Sequence, residues 1–230
     1  MELGQAMRTT PATREFTDDS VSDAVLYDIL DQARFAPNGG NRQGWRVIVV
    51  RDLEHRWRIG ELYDLGMREY AAFTRAGTVP FRAADDGKPL EIDLVAARTE
   101  PLPGEPSHVA TAPVILVILL DTTAVSSVDS GLGRVPVTAG GSVFPFAQNI
   151  LLAARAAGLG GHLTSVLARQ EPALRALLEI PEHFILATMI PLGKPAREIT
   201  RLRRAPVEEF TTVGFFDGPA FTRPASPEQA

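Results

Sequence analysis

The chain has 230 residues, 45% hydrophobic and 22% charged, with a formal net charge of -5 and no cysteine. That length buries one substantial core or two small ones. The negative balance excludes a global basic field for nucleic acid or an anionic membrane, and the lack of cysteine excludes disulfides, thiolate zinc sites and a cysteine nucleophile. Residues 1–10 contain no apolar h-region, so no secretory signal is expected. The longest apolar run, 112–120, is too short to span a bilayer. Cytoplasmic residence is the default expectation.

In chain order, the first expected helix covers 22–36. Ser22 serves as N-cap, Asp23 suits the positive end of the helix dipole, and Val25, Leu26, Ile29, Leu30 and Ala33 form one apolar stripe. Pro37 stops it, and residues 38–41, Asn-Gly-Gly-Asn, form a turn. A buried strand is expected over 45–50 and a helix over 53–72. Residues 73–107 carry five prolines and form an irregular excursion, with a short helix near 90–98; such excursions are usually functional. Residues 113–120 are continuously apolar, which predicts a strand covered on both faces. The helix expected over 142–158 is apolar nearly all round and is therefore buried in the core or at a subunit interface. A short helix opened by Pro172 and closed by Pro181 leads into a strand over 186–192. The expected organisation is one layered domain, 1–217, with a flexible or partner-wrapping tail, 218–230.

Two constellations carry candidate chemistry. Arg8, Arg14, Arg201, Arg203 and Arg204 read either as phosphate ligands, which guanidinium binds bidentately, or as solvated charges paired with neighbours such as Glu15 and Glu198. The segment 38–45 reads either as a helix-to-strand turn or as a ligand loop. Its glycines permit close backbone approach, and Asn41 and Gln43 offer the amide donors and acceptors a flat heterocycle needs.

These segments resemble the nitroreductase family. Arg14-Glu15-Phe16 and the run Ala36-Pro37-Asn38-Gly39-Gly40-Asn41-Arg42-Gln43-Gly44-Trp45 are similar to its N-terminal signature. Gln148-Asn149 and the residues through Gly160 resemble its central helix and turn. Leu177 to Glu182 and Ile190 to Ala196 resemble a later helix end and strand, and Arg203-Arg204-Ala205-Pro206 its basic C-terminal motif. The matches keep the family's order from about residue 8 to 209, and the stretch 53–113 contributes nothing to them.

The resemblance implies an α+β nitroreductase-like fold: a mixed central sheet flanked by helices, in an interlocked homodimer with exchanged C-terminal segments. It implies FMN as cofactor and NAD(P)H as transient hydride donor. The acceptor would be a small planar molecule such as a nitroaromatic or quinone, reduced in alternating (ping-pong) turnover. Arg8, Thr9, Thr10, Arg14, Arg203 and Arg204 would lie around FMN, with Arg14 reaching the ring carbonyl near N1. Asn38, Gly39, Asn41 and Ser142 would come from the neighbouring subunit, and Gln43 would also bind the cofactor. Leu163, Thr164 and Ser165 would lie beside the ring, with a Thr164 or Ser165 backbone N–H facing N5 and no catalytic side chain, since the flavin carries the chemistry. Flavin storage or sensing, reductive dehalogenation and flavin breakdown are the alternative roles.

The chain departs from the family pattern in three places. Thr10-Pro11-Ala12 replaces an arginine-bearing motif, with Arg8 the substitute; Gly44 replaces a proline; Ser165-Val166 replaces the usual residues beside N5. Other chemistries find no pattern. Gly158-Leu159-Gly160-Gly161 follows a helix rather than a strand, so it is no dinucleotide fingerprint. Gly141-Ser142-Val143 is no nucleophile elbow. His55, His108, His162 and His183 show no metal spacing, and His162 alone falls next to the expected flavin turn.

Overall fold

The computed structural model describes residues 1–82, 92–102, 107–199 and 201–224. Among them lie helices α1 (Leu3–Thr9), α2 (Asp23–Ala33), α3 (Leu53–Arg75), α4 (Leu94–Ala97), α5 (His108–Thr111), α6 (Phe144–Ala156) and α7 (Glu171–Leu177). The strands are β1 (Trp45–Val50), β2 (Val114–Asp121), β3 (Gly160–Gly161) and β4 (Phe184–Gly193). They form one sheet in the order β1-β2-β4-β3, and every neighbouring pair is antiparallel. Among the described residues, parallel pairing enters only through a bridge between Ala12 and Gly161.

β2 shows why the chain layers as it does. Alternate side chains of a strand point to opposite faces. Val114, Leu116, Ile118 and Leu120 pack with Leu26 and Ile29 of α2 and Phe146 and Ile150 of α6. Ile115, Val117 and Leu119 pack with Ile59 and Tyr63 of α3 and Leu174 of α7. Both faces are covered, as an uninterrupted apolar strand requires, and each fully buried Ile or Leu contributes on the order of 1.5–3 kcal/mol. The fold is α+β, three layers deep.

Local chemistry sets the element ends. The Val25 N–H donates to Ser22 Oγ at 3.3 Å, the expected cap of α2. That helix stops at Ala33, three residues before its expected end, because Pro37 disfavours helical backbone at the residue before it and residues 34–36 turn instead. α3 runs three residues past its expected end. α1 and α5 are not anticipated by periodicity, since seven and four residues cannot display a helical stripe. α6 is buried along Phe146, Ala147, Ile150, Leu151, Ala153 and Ala154 but not all round. Phe144, Gln148 and Ala156 are exposed and Leu152 half-buried, a stripe at four-residue spacing that this chain does not cover.

The excursion after α3 is tied down electrostatically. Glu69, fully buried in α3, accepts from Arg98 Nε at 2.6 Å and from Arg169 Nε at 2.7 Å. Arg169 also lies over the Phe81 ring, 4.7 Å from its centre. Of the short helix expected at 90–98, Leu94–Ala97 forms; residues 83–91 and 103–106 of the excursion lie outside the described residues. A second buried carboxylate, Asp129, accepts from the Val137 and Thr138 N–H groups and from Arg134, closing the loop between β2 and α6. Beyond β4 the chain leaves the sheet. Thr212 bridges Ala220, and the Phe221 N–H donates to the Thr211 carbonyl, so the expected tail boundary at 218 falls inside a small paired loop; residues 225–230 lie outside the described residues. Among the described residues no helix is long and apolar enough to cross a membrane.

Candidate functional site

The site begins where the N-terminal segment lies along the sheet edge. The Thr13 N–H donates to the Gly161 carbonyl at 3.0 Å, and the Ala196 N–H to the Glu15 carbonyl at 2.9 Å. This approach needs Gly160: a Cβ there would sit 2.4 Å from Thr13 Oγ1. Arg14 is thereby fixed at the mouth of a cavity of about 410 Å³. Tyr63, Asp64, Ser107, His108, His162 and Thr164 supply its other polar walls, with Met67, Tyr70, Leu102, Leu163 and Val166 completing the lining.

The two histidines form a directed pair. His162 Nδ1 lies 2.9 Å from the Thr13 carbonyl, and His162 Nε2 lies 3.2 Å from His108 Nε2. Burial pushes the His162 imidazole down to about 4, helped by His108 and Arg14 and opposed by the Thr13 carbonyl. Burial, and then Arg14, pushes His108 down to about 4. Both rings are therefore neutral at pH 7. A carbonyl only accepts, so His162 carries its proton on Nδ1, and its Nε2 accepts from His108 Nε2–H. His108 Nδ1 is left as a bare acceptor. Burial raises the Tyr63 hydroxyl, while the Thr164 side chain and Arg14 pull it back, so it stays a protonated donor.

A bulge in β4 positions the segment beside the cavity. The β2–β4 register slips between Ile118 and Leu119, passing over Ala187, whose carbonyl instead accepts from Ser165 Oγ at 3.1 Å. Thr188 Oγ1 donates to the Thr164 carbonyl at 3.0 Å. The Thr164 N–H donates to the Met189 carbonyl at 3.0 Å and is thus committed. Of the two backbone donors expected here, Ser165 N–H alone keeps no partner among the described residues.

The turn residues gather elsewhere. Asn38, Gly39 and Ser142 line a separate shallow cavity, joined by the Gly39 N–H donating to Ser142 Oγ at 3.3 Å. The Asn38 amide works within the turn, accepting from the Gln43 N–H at 2.8 Å and donating to the Ala36 carbonyl at 3.3 Å. Asn41 and Gln43 both hold left-handed backbone, with φ of 51°, and their side chains meet at 3.4 Å. Gly44 is dictated by close approach: a Cβ would lie 2.5 Å from Val125 Cγ2, leaving no room for the proline of the family pattern.

The remaining expected residues do not converge on Arg14 within this chain. Arg8 is exposed at the end of α1. Thr9 and Thr10 hydroxyls donate back to the Gln5 and Ala6 carbonyls. Arg203 and Arg204 are exposed beyond the sheet. Arg197 instead shares a small cavity of about 200 Å³ with Arg14, Ala12, Thr13, Glu15 and Ile199. The sequence reading missed Arg197, Tyr63, Ser107 and His108. Tyr63, Ser107 and His108 fall in the stretch without family resemblance, and no local spacing links them to Arg14.

Comparison with known proteins agrees with this architecture. The model of the nitroreductase family matches residues 7–194. The chain is 27% identical over 241 residues to the nitrobenzene nitroreductase of Ectopseudomonas oleovorans, covering 91% of this chain and 96% of that one. Among solved structures it is similar to nitroreductase A from Vibrio parahaemolyticus, with a TM-score of 0.66 at 19% identity, covering 94% of this chain and 78% of that one. It is also similar to an oxidized iodotyrosine deiodinase bound to FMN and 3-iodo-L-tyrosine, with a TM-score of 0.64 at 18% identity, covering 94% of this chain and 100% of that one. The chain belongs to the nitroreductase family of oxidoreductases.

Proposed function

We propose that the protein is a homodimeric, FMN-dependent NAD(P)H oxidoreductase acting on a small planar organic acceptor such as a nitroaromatic or quinone. The observation that carries this reading is Arg14, a guanidinium without an ion pair among the described residues, on the wall of a polar-walled cavity that Thr164 and Val166 also line, with the intervening Ser165 N–H without a partner among the described residues. The residues present fit a flat, polar-edged heterocycle. Ser107 Oγ is buried at the cavity wall without a hydrogen-bond partner among the described residues, and the open donors Arg14 and Ser165 answer carbonyl and ring-nitrogen acceptors.

When bound, FMN would supply hydride acceptance and donation at its N5. Arg14 would stabilise negative charge on the ring near N1, by the electrostatic logic of an oxyanion hole. Ser165 N–H would donate toward N5. Met67, Tyr70, Leu102 and Val166 would exclude water from the acceptor side. Arg197 joins Arg8, Arg203 and Arg204 as a candidate for the phosphate. Asn38, Gly39 and Ser142 line a different cavity from Arg14, which supports their serving the site of a second copy. The uncovered stripe on α6, together with Phe210, Phe215, Phe216 and Phe221 all exposed, supports an extensive face for that copy.

The test is the visible spectrum of the purified protein, mass identification of its chromophore, and anaerobic reduction by NADH and NADPH followed by nitroaromatic or quinone addition. A flavin spectrum, released FMN and reoxidation by the acceptor are expected. A colourless protein that takes up no FMN, or bound FMN that neither nicotinamide reduces, overturns the reading.

A further inference from the structure

The His108–His162 pair does more than fill space at the cavity wall. Its hydrogen bonds run in one direction, from His108 Nε2–H to His162 Nε2 and from His162 Nδ1–H to the Thr13 carbonyl. A carbonyl at the far end fixes the tautomer of both rings. The near end is an imidazole lone pair on His108 Nδ1, with no protein partner among the described residues. Arg14, a pure donor, lines the same cavity. Other acceptors line the cavity: the Asp64 carboxylate, whose Oδ2 accepts from the Ser107 N–H at 3.3 Å, and hydroxyls such as Ser107 Oγ, which rotate and can donate as readily as accept, whereas the lone pair of the His108 ring is fixed by its tautomer. A lone-pair acceptor beside a cationic donor complements a ring edge that sets an N–H next to a C=O, as the imide edge of an isoalloxazine does. A nitro group or a quinone, having acceptors only, leaves the histidine unanswered.

We propose that His108 is a positioning residue for the flavin: its Nδ1 accepts the ring N3–H while Arg14 donates to the adjoining carbonyl, and His162 with Thr13 holds His108 in the one tautomer that can do so. This rests on the reading that the cavity receives FMN. The arrangement also accounts for a buried histidine pair in a site whose chemistry needs no side-chain acid or base. Replacing either ring removes the orientation as well as the contact, so His162 acts through His108 rather than on the flavin.

The test is a thermodynamic cycle on binding, independent of turnover. Wild type and His108→Phe, stripped of chromophore, are titrated with FMN and with N3-methyl-FMN, followed by flavin fluorescence quenching. His108→Phe is expected to weaken FMN about tenfold, the worth of one hydrogen bond of ~1.4 kcal/mol, while changing N3-methyl-FMN little. Steric effects of the methyl group cancel in the cycle. His108→Gln, whose amide oxygen can accept, keeps most of the preference for FMN and serves as the check if the Phe variant misfolds. An equal change for both flavins overturns the proposal, as does loss of the preference in Asp64→Asn with its retention in His108→Phe; in both cases FMN still binds and the functional reading stands. Failure of wild type to bind FMN at all overturns that reading and this proposal with it.

Discussion

Arg14 shows what one residue contributes when its surroundings leave it unanswered. Its charge has no ion pair among the described residues, so a bound ring gains a hydrogen bond to a charged donor without breaking one inside the protein. Arg14→Ala is expected to weaken FMN by ~1.5–3 kcal/mol, read by fluorescence titration; unchanged affinity and unchanged reduction by NAD(P)H would remove the residue from the site. The histidine pair makes a separate prediction about pH. Each ring is neutral in the folded chain down to about 4, against an unfolded value of 6.5. The unfolded chain therefore takes up protons first. Stability is complete above 6.5 and falls as pH drops from 6.5 toward 4, by at most ~1.4 kcal/mol per pH unit for each ring. The half-exposed His108 contributes less than His162, and Arg14, Tyr63 and Asp64 face the same pair. Urea unfolding across that window should show a shallower loss in a His108→Gln, His162→Gln double variant, and an identical slope in the two proteins would contradict the assignment.

At the scale of elements, the clamp around Glu69 joins three pieces that periodicity reads as unrelated: α3, the end of α4, and the turn 166–170 beneath the cavity. Removing both Arg98 and Arg169 leaves a fully buried carboxylate without a counter-charge, at a cost of ~3–5 kcal/mol in urea unfolding. Glu69→Gln should cost less, because it strands no buried charge, although the amide oxygen can accept from only one of the two guanidinium groups and its NH2 faces the other. Equal losses in the two variants would mean that packing, not charge, holds the excursion. Gly160→Ala tests the approach that places Arg14. The added Cβ meets Thr13, so a stability loss of ~1–3 kcal/mol should accompany weaker flavin binding. The bounds of β1 were legible in the sequence because a buried strand and the turns beside it carry strong local signals. The helix expected over 142–158 is two residues shorter at each end, whereas the turn at 38–41 was legible for the same reason as β1. The bulge at Ala187 was not, since it arises from pairing β4 with β2 and leaves no mark on β4 alone.

For the whole molecule, the unresolved business of the single chain is apolar. Phe216 is 93% exposed, and the α6 stripe begins at Phe144. Sedimentation velocity is expected to give a dimer, and Phe144→Glu to shift it toward monomer while lowering FMN uptake; a wild-type protein that sediments as a monomer with FMN bound would refute the shared site.

The sequence by itself determined the family, the cofactor expectation, the layered α+β core and the turn beside Ser142, because periodicity, capping and ordered motifs are local properties of a chain. Only the tertiary structure decided which residues meet. It committed the Thr164 N–H to Met189, left Ser165 open, separated Asn38 from Arg14, and set His108 against His162 across 54 positions. The physical reason is that an acceptor, a donor or a charge acquires its role from what faces it after folding, and no spacing along the chain records that partner.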